Sequence, residues 1–129
     1  MTEAVVEQVR KEHLDLPTPC ARWTLRQLLA HMIGQNHGFA AAADGELTDR
    51  TAWADREFGD EPAAAFAESS AAVSRSFARD GVLDSQMWLP EVRGGQMFPA
   101  ATAIGFHFVD YVVHGWDVAR AIGAERREP

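Results

Sequence analysis

The chain has a single cysteine, which excludes an internal disulfide framework. It has no charged-then-apolar leader at its N-terminus and no apolar stretch long enough to span a bilayer, so the expectation is a cytoplasmic protein with no membrane partner. Basic residues are outnumbered, 12 Lys and Arg against 19 Asp and Glu, for a formal net charge of −7. Such a field repels phosphate backbones, which argues against a nucleic-acid partner. No Gly/Ser-rich or Pro-rich linker and no internal repeat interrupts the 129 residues, so residues 1–129 read as one domain. Apolar material is plentiful: 47% hydrophobic residues, with four tryptophans and seven phenylalanines, enough to pack an interior.

The apolar spacing is helical. Val5, Val6, Val9, His13 and Leu14 follow an i, i+3, i+4 rhythm that predicts a short amphipathic first helix, stopped by Pro17 and Pro19. Thr24 and Gln27 stand at capping-box spacing. Leu25, Leu28, Leu29, Met32 and Phe39 then trace one face of a helix from about residue 24 to Ala43, with Gly45 past its end. Residues 46–60 form a long polar loop that Trp53 and Phe58 are placed to anchor. A third helix, Ala64 to Arg79, ends before Gly81; residues 82–98 are irregular, with a small hairpin at Gly94 and Gly95. A fourth helix follows Pro99 and stops at Gly123. Four helices and no convincing strand imply an all-α bundle.

The fourth helix carries a polar stripe. Asp110 and His114 are offset by about 40° and about 6 Å on an ideal helix, so a carboxylate and an imidazole converge on one point. Asp117 lies one turn further on. His107 shares the stripe but stands about 10 Å along the axis from His114, too far to share an ion easily. Two readings compete. Phe106, Phe108, Val109, Val112, Val113 and Trp116 are apolar, so the stripe is either the solvent side of an ordinary helix or half of a metal site. A metal needs a third protein ligand. His13, His31 and His37 are candidates, and His31, set among Leu28, Leu29 and Met32, is the best of them. Trp23 and Trp116 read as core anchors, and Cys20 as a packed or turn cysteine.

Taken together, TPCARWTLRQLLAHMIGQN and DYVVHGWDVARAIG resemble the DinB-like superfamily in its actinobacterial branch, the group of the mycothiol-dependent maleylpyruvate isomerase metal-binding domain. The likeness extends from about Leu16 to Gly123. It implies an up-down four-helix bundle holding a divalent metal, zinc or nickel, on His31, Asp110 and His114, with Asp110 standing where the isomerase has glutamate. It implies mycothiol as a thiol cosubstrate and a small electrophilic molecule as substrate, for S-transfer or isomerisation. His107 or Asp117 would shuttle a proton, and Asp117 has a further reading as a carboxylate orienting a ligand histidine. A non-catalytic bundle that sequesters a ligand or metal is the alternative. Relatives of this kind have more chain after the His-Gly-Trp-Asp helix, whereas this one stops at Pro129; the expectation is a homodimer in which a second copy supplies the missing cover.

Overall fold

The computed structural model describes residues 2–20 and 22–123; Ala21 and the stretch up to Pro129 lie outside the described residues. The elements are α1 (Thr2–Val6), α2 (Leu25–Ala43), α3 (Pro62–Phe77), β1 (Gln86–Leu89), β2 (Gln96–Pro99) and α4 (Ala100–Ile122). The fold is therefore mostly helical, with a small two-stranded sheet.

The boundaries follow local chemistry. At the start of α2, Thr24 Oγ1 accepts from the Gln27 backbone N–H while Gln27 Oε1 accepts from the Thr24 N–H, so two donors of the first turn are satisfied. Proline opens α3, where a missing N–H costs nothing, and α4 stops at Gly123, whose φ of 74° closes the helix in the left-handed region.

Three sequence expectations change. The first helix is only five residues long: Arg10 is extended and its N–H donates to His13 Nδ1 at 2.9 Å, a local bond that draws the chain out of the helix. Val6, Val9 and Leu14 reach the core from successive turns rather than from one helical face. Residues 82–98, expected to be irregular apart from a small hairpin at Gly94 and Gly95, do form that hairpin and extend it into strands, β1 and β2, paired antiparallel with Gln86 opposite Pro99. Met87 and Leu89 alternate inward from β1 and are buried. Trp116, expected as a core anchor, is 58% exposed.

The helices do not simply alternate in direction. Asn36 Nδ2 donates to Ser69 Oγ, and nearer the C-terminal ends Ser76 Oγ donates to Asp44 and the Arg79 guanidinium to the Ala43 carbonyl. Pairing residues 36, 43 and 44 with 69, 79 and 76 runs α2 and α3 the same way, so the expected up-down order is not followed between them. The long connection from Asp44 to Glu61 carries the chain back along the molecule and makes this possible. Helix α4 runs opposite to α2, with His107 against Asn36 and His114 beside His31.

The core has two ends. Leu25, Leu28, Leu29 and Met32 of α2 meet Phe66 of α3, Val118 of α4 and the N-terminal Val6, Val9 and Leu14. At the other end Phe39, Val73, Met87, Leu89 and Ala103 enclose Trp53. Trp53 does anchor the long loop, as expected, because Gly34 and Gly38 give α2 a side without Cβ atoms. A Cβ at Gly38 would fall inside the Trp53 indole, and one at Gly34 on the Ala54 carbonyl. Arg56 N–H donates to the Ala30 carbonyl at 3.0 Å, which pins the loop along α2. Among the described residues no helix is long and apolar enough to cross a membrane.

Gly38→Val should overpack this contact and destabilise the fold by about 1–3 kcal/mol in urea denaturation. Gly105→Ala, where a Cβ meets nothing within 4 Å, should instead stabilise it by up to about 1 kcal/mol.

Candidate metal centre

Helix α4 is turned with its polar stripe toward the protein. Side chains of His114 and Asp117 are 14% and 16% exposed and Asp110, at the stripe's edge, is 45% exposed, while Phe106, Phe108, Val109, Val113 and Trp116 on the same helix are all open to solvent. The reading of the stripe as the wet side of an ordinary helix is therefore wrong, because the apolar residues occupy that side.

His114 is held by carboxylates at both ring nitrogens. Its Nε2 lies 3.3 Å from Asp110 Oδ1 and its Nδ1 lies 3.3 Å from Asp117 Oδ2, partners at the i−4 and i+3 positions of one helix. The Asp110 hydrogen bond raises the His114 pKa, burial opposes it, and Asp117 adds to the rise. For Asp110, burial pushes upward, but the His114 bond and the nearby imidazoles of His114, His31 and His107 outweigh it and hold the carboxyl below its ordinary value.

His31 faces this pair from α2. Its ring centroid is 5.7 Å from that of His114, edge to face, and Trp23 sits against it at 4.7 Å. Its Nδ1 lies 3.1 Å from Asp55 Oδ1, contributed by the long loop. Each imidazole thus has a carboxylate on Nδ1, the arrangement that fixes the ring and its tautomer when the other nitrogen ligates a metal. The loop pinned by Trp53 and Arg56 delivers Asp55 to this position. Sequence spacing offers no sign of it, since Asp55 is one acid among several in a polar loop.

Cys20 packs against the core, as its reading as a packed or turn cysteine expects, and has a further contact that reading did not include. Its thiol donates to Asp117 Oδ2 at 3.2 Å, the same oxygen that His114 Nδ1 approaches. Burial and then the Asp117 hydrogen bond and charge push the thiol pKa upward, so Cys20 is a protonated donor at neutral pH. Among the described residues, Cys20, His114 and Asp117 form the group of three such donors lying within 4.8 Å of one another; His31 and Asp110 are outside it.

Between α2 and α4 lies a cavity of about 10 Å³ lined by Met32, Gln35, Asn36, His107, Asp110, Tyr111 and His114. That volume takes one water or one ion and no organic molecule. His31 does not line it. His107 closes its far end, with Nε2–H donating to Asn36 Oδ1 at 2.9 Å and the ring packed against Phe39, Phe77 and Tyr111. His13 is engaged locally with Arg10, and His37 lies elsewhere on α2, where burial and then Arg56 lower its pKa.

Burial depresses the His107 pKa from 6.5 to about 4, against the pull of Asp110. The unfolded ring takes up a proton that the folded ring refuses. The contribution of His107 is therefore complete above about pH 6.5 and is lost as pH falls toward 4, by at most about 3 kcal/mol. His107→Gln should flatten the fall in stability over that window in pH-dependent urea melts, and proton NMR should show the His107 ring still neutral at pH 6.

The family model described as the mycothiol maleylpyruvate isomerase N-terminal domain matches residues 2–119. Two uncharacterized proteins of Mycobacterium tuberculosis, from two strains, are each 34% identical to the chain over 124 residues. The match covers 93% of this chain and 60% of each relative, so the chain spans well under two thirds of the length of the curated relatives it matches. No solved structure matches it significantly. With a domain match over nearly its whole length, the chain belongs to the mycothiol maleylpyruvate isomerase N-terminal domain family.

Proposed function

We propose that the protein is a divalent-metal enzyme in which His31, Asp110 and His114 hold the ion and a low-molecular-weight thiol of the mycothiol kind is the cosubstrate. The observation that carries this reading is the pair of carboxylate-backed imidazoles, His31 on Asp55 and His114 on Asp117, facing each other across the interior beside Asp110. The donor set suits zinc or nickel, two imidazole nitrogens and one carboxylate oxygen. His114 Nε2 and Asp110 Oδ1 now share a proton that a cation would displace, with the acid still in place as a ligand.

A cation held by His31, Asp110 and His114 would supply electrostatic stabilisation of an anionic nucleophile such as a thiolate at neutral pH. The residues of the chain do the rest. Asp117 accepts from His114 Nδ1–H and keeps Nε2 aimed at Asp110, and Asp55 accepts from His31 Nδ1–H. Trp23 walls the His31 and His114 rings on one side. His107, neutral at pH 7 and committed to Asn36, positions that end of the cavity rather than exchanging protons, so of the two shuttle candidates the role falls to Asp117. The thiol and the reaction class, S-transfer or isomerisation on a small electrophile, rest on the family, since a fold alone does not specify its chemistry.

A second position for the ion has its own support: Cys20, His114 and Asp117 converge within 4.8 Å. The two positions differ in having sulfur or not. Elemental analysis of protein purified without a metal-affinity tag should find close to one divalent ion per chain, lost in His114→Ala and His31→Ala. The cobalt-substituted protein should lack the near-ultraviolet band of a thiolate ligand and be unchanged by Cys20→Ser. A thiolate band that disappears in Cys20→Ser would move the ion to the second position; metal-free protein indifferent to chelators would end the enzymatic reading. With metal bound, calorimetry should detect a low-molecular-weight thiol, and that heat should vanish in Asp110→Ala.

A further inference from the structure

Of the eight large hydrophobic side chains that the described residues expose, five lie on α4: Phe106 (43%), Phe108 (66%), Val109 (61%), Val113 (52%) and Trp116 (58%). Phe106, Val109, Val113 and Trp116 share one side of the helix, while Phe108 lies on another and lines a cavity with Glu3, Ser70 and Phe77. Together the four leave roughly 400 Å² of apolar surface in water, the size of the largest patch an ordinary monomer carries. Scattered exposed leucines such as Leu47 and Leu83 need no explanation; four in one row do.

Their order specifies what fits. Phe106, Val109, Val113 and Trp116 are spaced three, four and three residues apart, the a/d seam of a two-helix coiled coil, with no charged residue among them. Flanking polar positions at either end are Thr102 and Arg120, both exposed. The seam is self-complementary when turned end for end about residue 111. Phe106 then meets the partner's Trp116, and Val109 meets the partner's Val113, so two layers of small residues lie between two layers of large ones. That is the isologous geometry of a two-fold dimer. The seam supplies about half of the roughly 800 Å² per partner that a stable interface buries, with Phe98 packed against Phe106 at its edge.

We infer that the outer side of α4 is a homodimer interface, occupied by the same helix of a second copy in antiparallel register. This assignment goes beyond the metal reading and does not depend on it, because none of the four seam residues is a proposed ligand; Asp110 and Asp117 border the seam, about a quarter turn or less from its centre. Each copy carries a formal charge of −7, so the charges oppose association and the apolar seam drives it. Added salt therefore strengthens the dimer.

Sedimentation of the full chain at tens of micromolar should give a dimer that tightens with salt. Val113→Asp places two like charges near the centre of the seam and should weaken it at least tenfold, with unchanged circular dichroism because Val113 is already half exposed. Leu83→Asp, at a 69% exposed leucine outside the seam, should leave the dimer intact. In a Cys20→Ser background, a mixture of Val109→Cys and Val113→Cys chains should form disulfide-linked pairs under oxidation faster than either alone. A monomer at these concentrations, or a dimer untouched by Val113→Asp, overturns the proposal and assigns the patch to another partner. Preferential linkage of each variant to itself overturns the antiparallel register.

Discussion

The rotation of α4 about its own axis is the constraint from which the rest of the structure follows. His114 faces α2 with Asp110 and Asp117 at the edge of the interior, and that rotation leaves Phe106, Val109, Val113 and Trp116, which follow on around the helix, in solvent. What holds that rotation is small-residue contact at one end and hydrogen bonding at the middle. Gly115 lies so close to Thr2 that a Cβ there would collide with the threonine side chain, and the Thr2 hydroxyl donates to the Tyr111 carbonyl. His107 meets Asn36 and Tyr111 meets Ser70, so α4 is tied to both α2 and α3 through polar groups that have no other way of being satisfied in the interior.

Burying that stripe has an electrostatic consequence. Three imidazoles and three carboxylates meet around the middle of α4 and α2, and the structure resolves their competing demands by pairing. His114 takes Asp110 and Asp117, His31 takes Asp55, and His107 gives up protonation and bonds an amide. Without these partners the cost of each buried charge would exceed what the surrounding apolar contacts return. The Asn36–Ser69–Phe66 chain of hydrogen bonds extends the same solution into α3. The long loop takes part as well: it closes the core with Trp53, delivers Asp55, and is fastened to the hairpin by Arg50, which donates to the Pro90 and Gly94 carbonyls and lies over Trp88.

The match to the mycothiol maleylpyruvate isomerase N-terminal domain family covers residues 2–119, and with them His31 and the Asp110–His114 pair. The residues around them are less predictable from one sequence. Cys20 touches Asp117, a contact between residues 97 positions apart. Asp55 and Gln35, which bonds Glu91 at 3.0 Å, come from or meet segments whose composition says only that they are polar loops.

By itself the sequence determined the elements whose cause is local. The Thr24–Gln27 cap, the proline at the start of α3, the glycines at residues 45, 81 and 123, and the turn at Gly94 and Gly95 all act within a few residues, and each appears where spacing places it. Spacing also put Asp110, His114 and Asp117 on one side of one helix. Which side of that helix faces inward was left open, because an amphipathic pattern with apolar residues on one side and polar on the other describes burial correctly only when the interior is apolar. Here the interior at the middle of α4 is polar, so the usual inference inverts, and Trp116 lies outside while His114 lies within. The parallel course of α2 and α3, the delivery of Asp55 and the meeting of Cys20 with Asp117 are settled by contacts between distant segments, whose energies depend on packing and mutual hydrogen bonding that no local window contains.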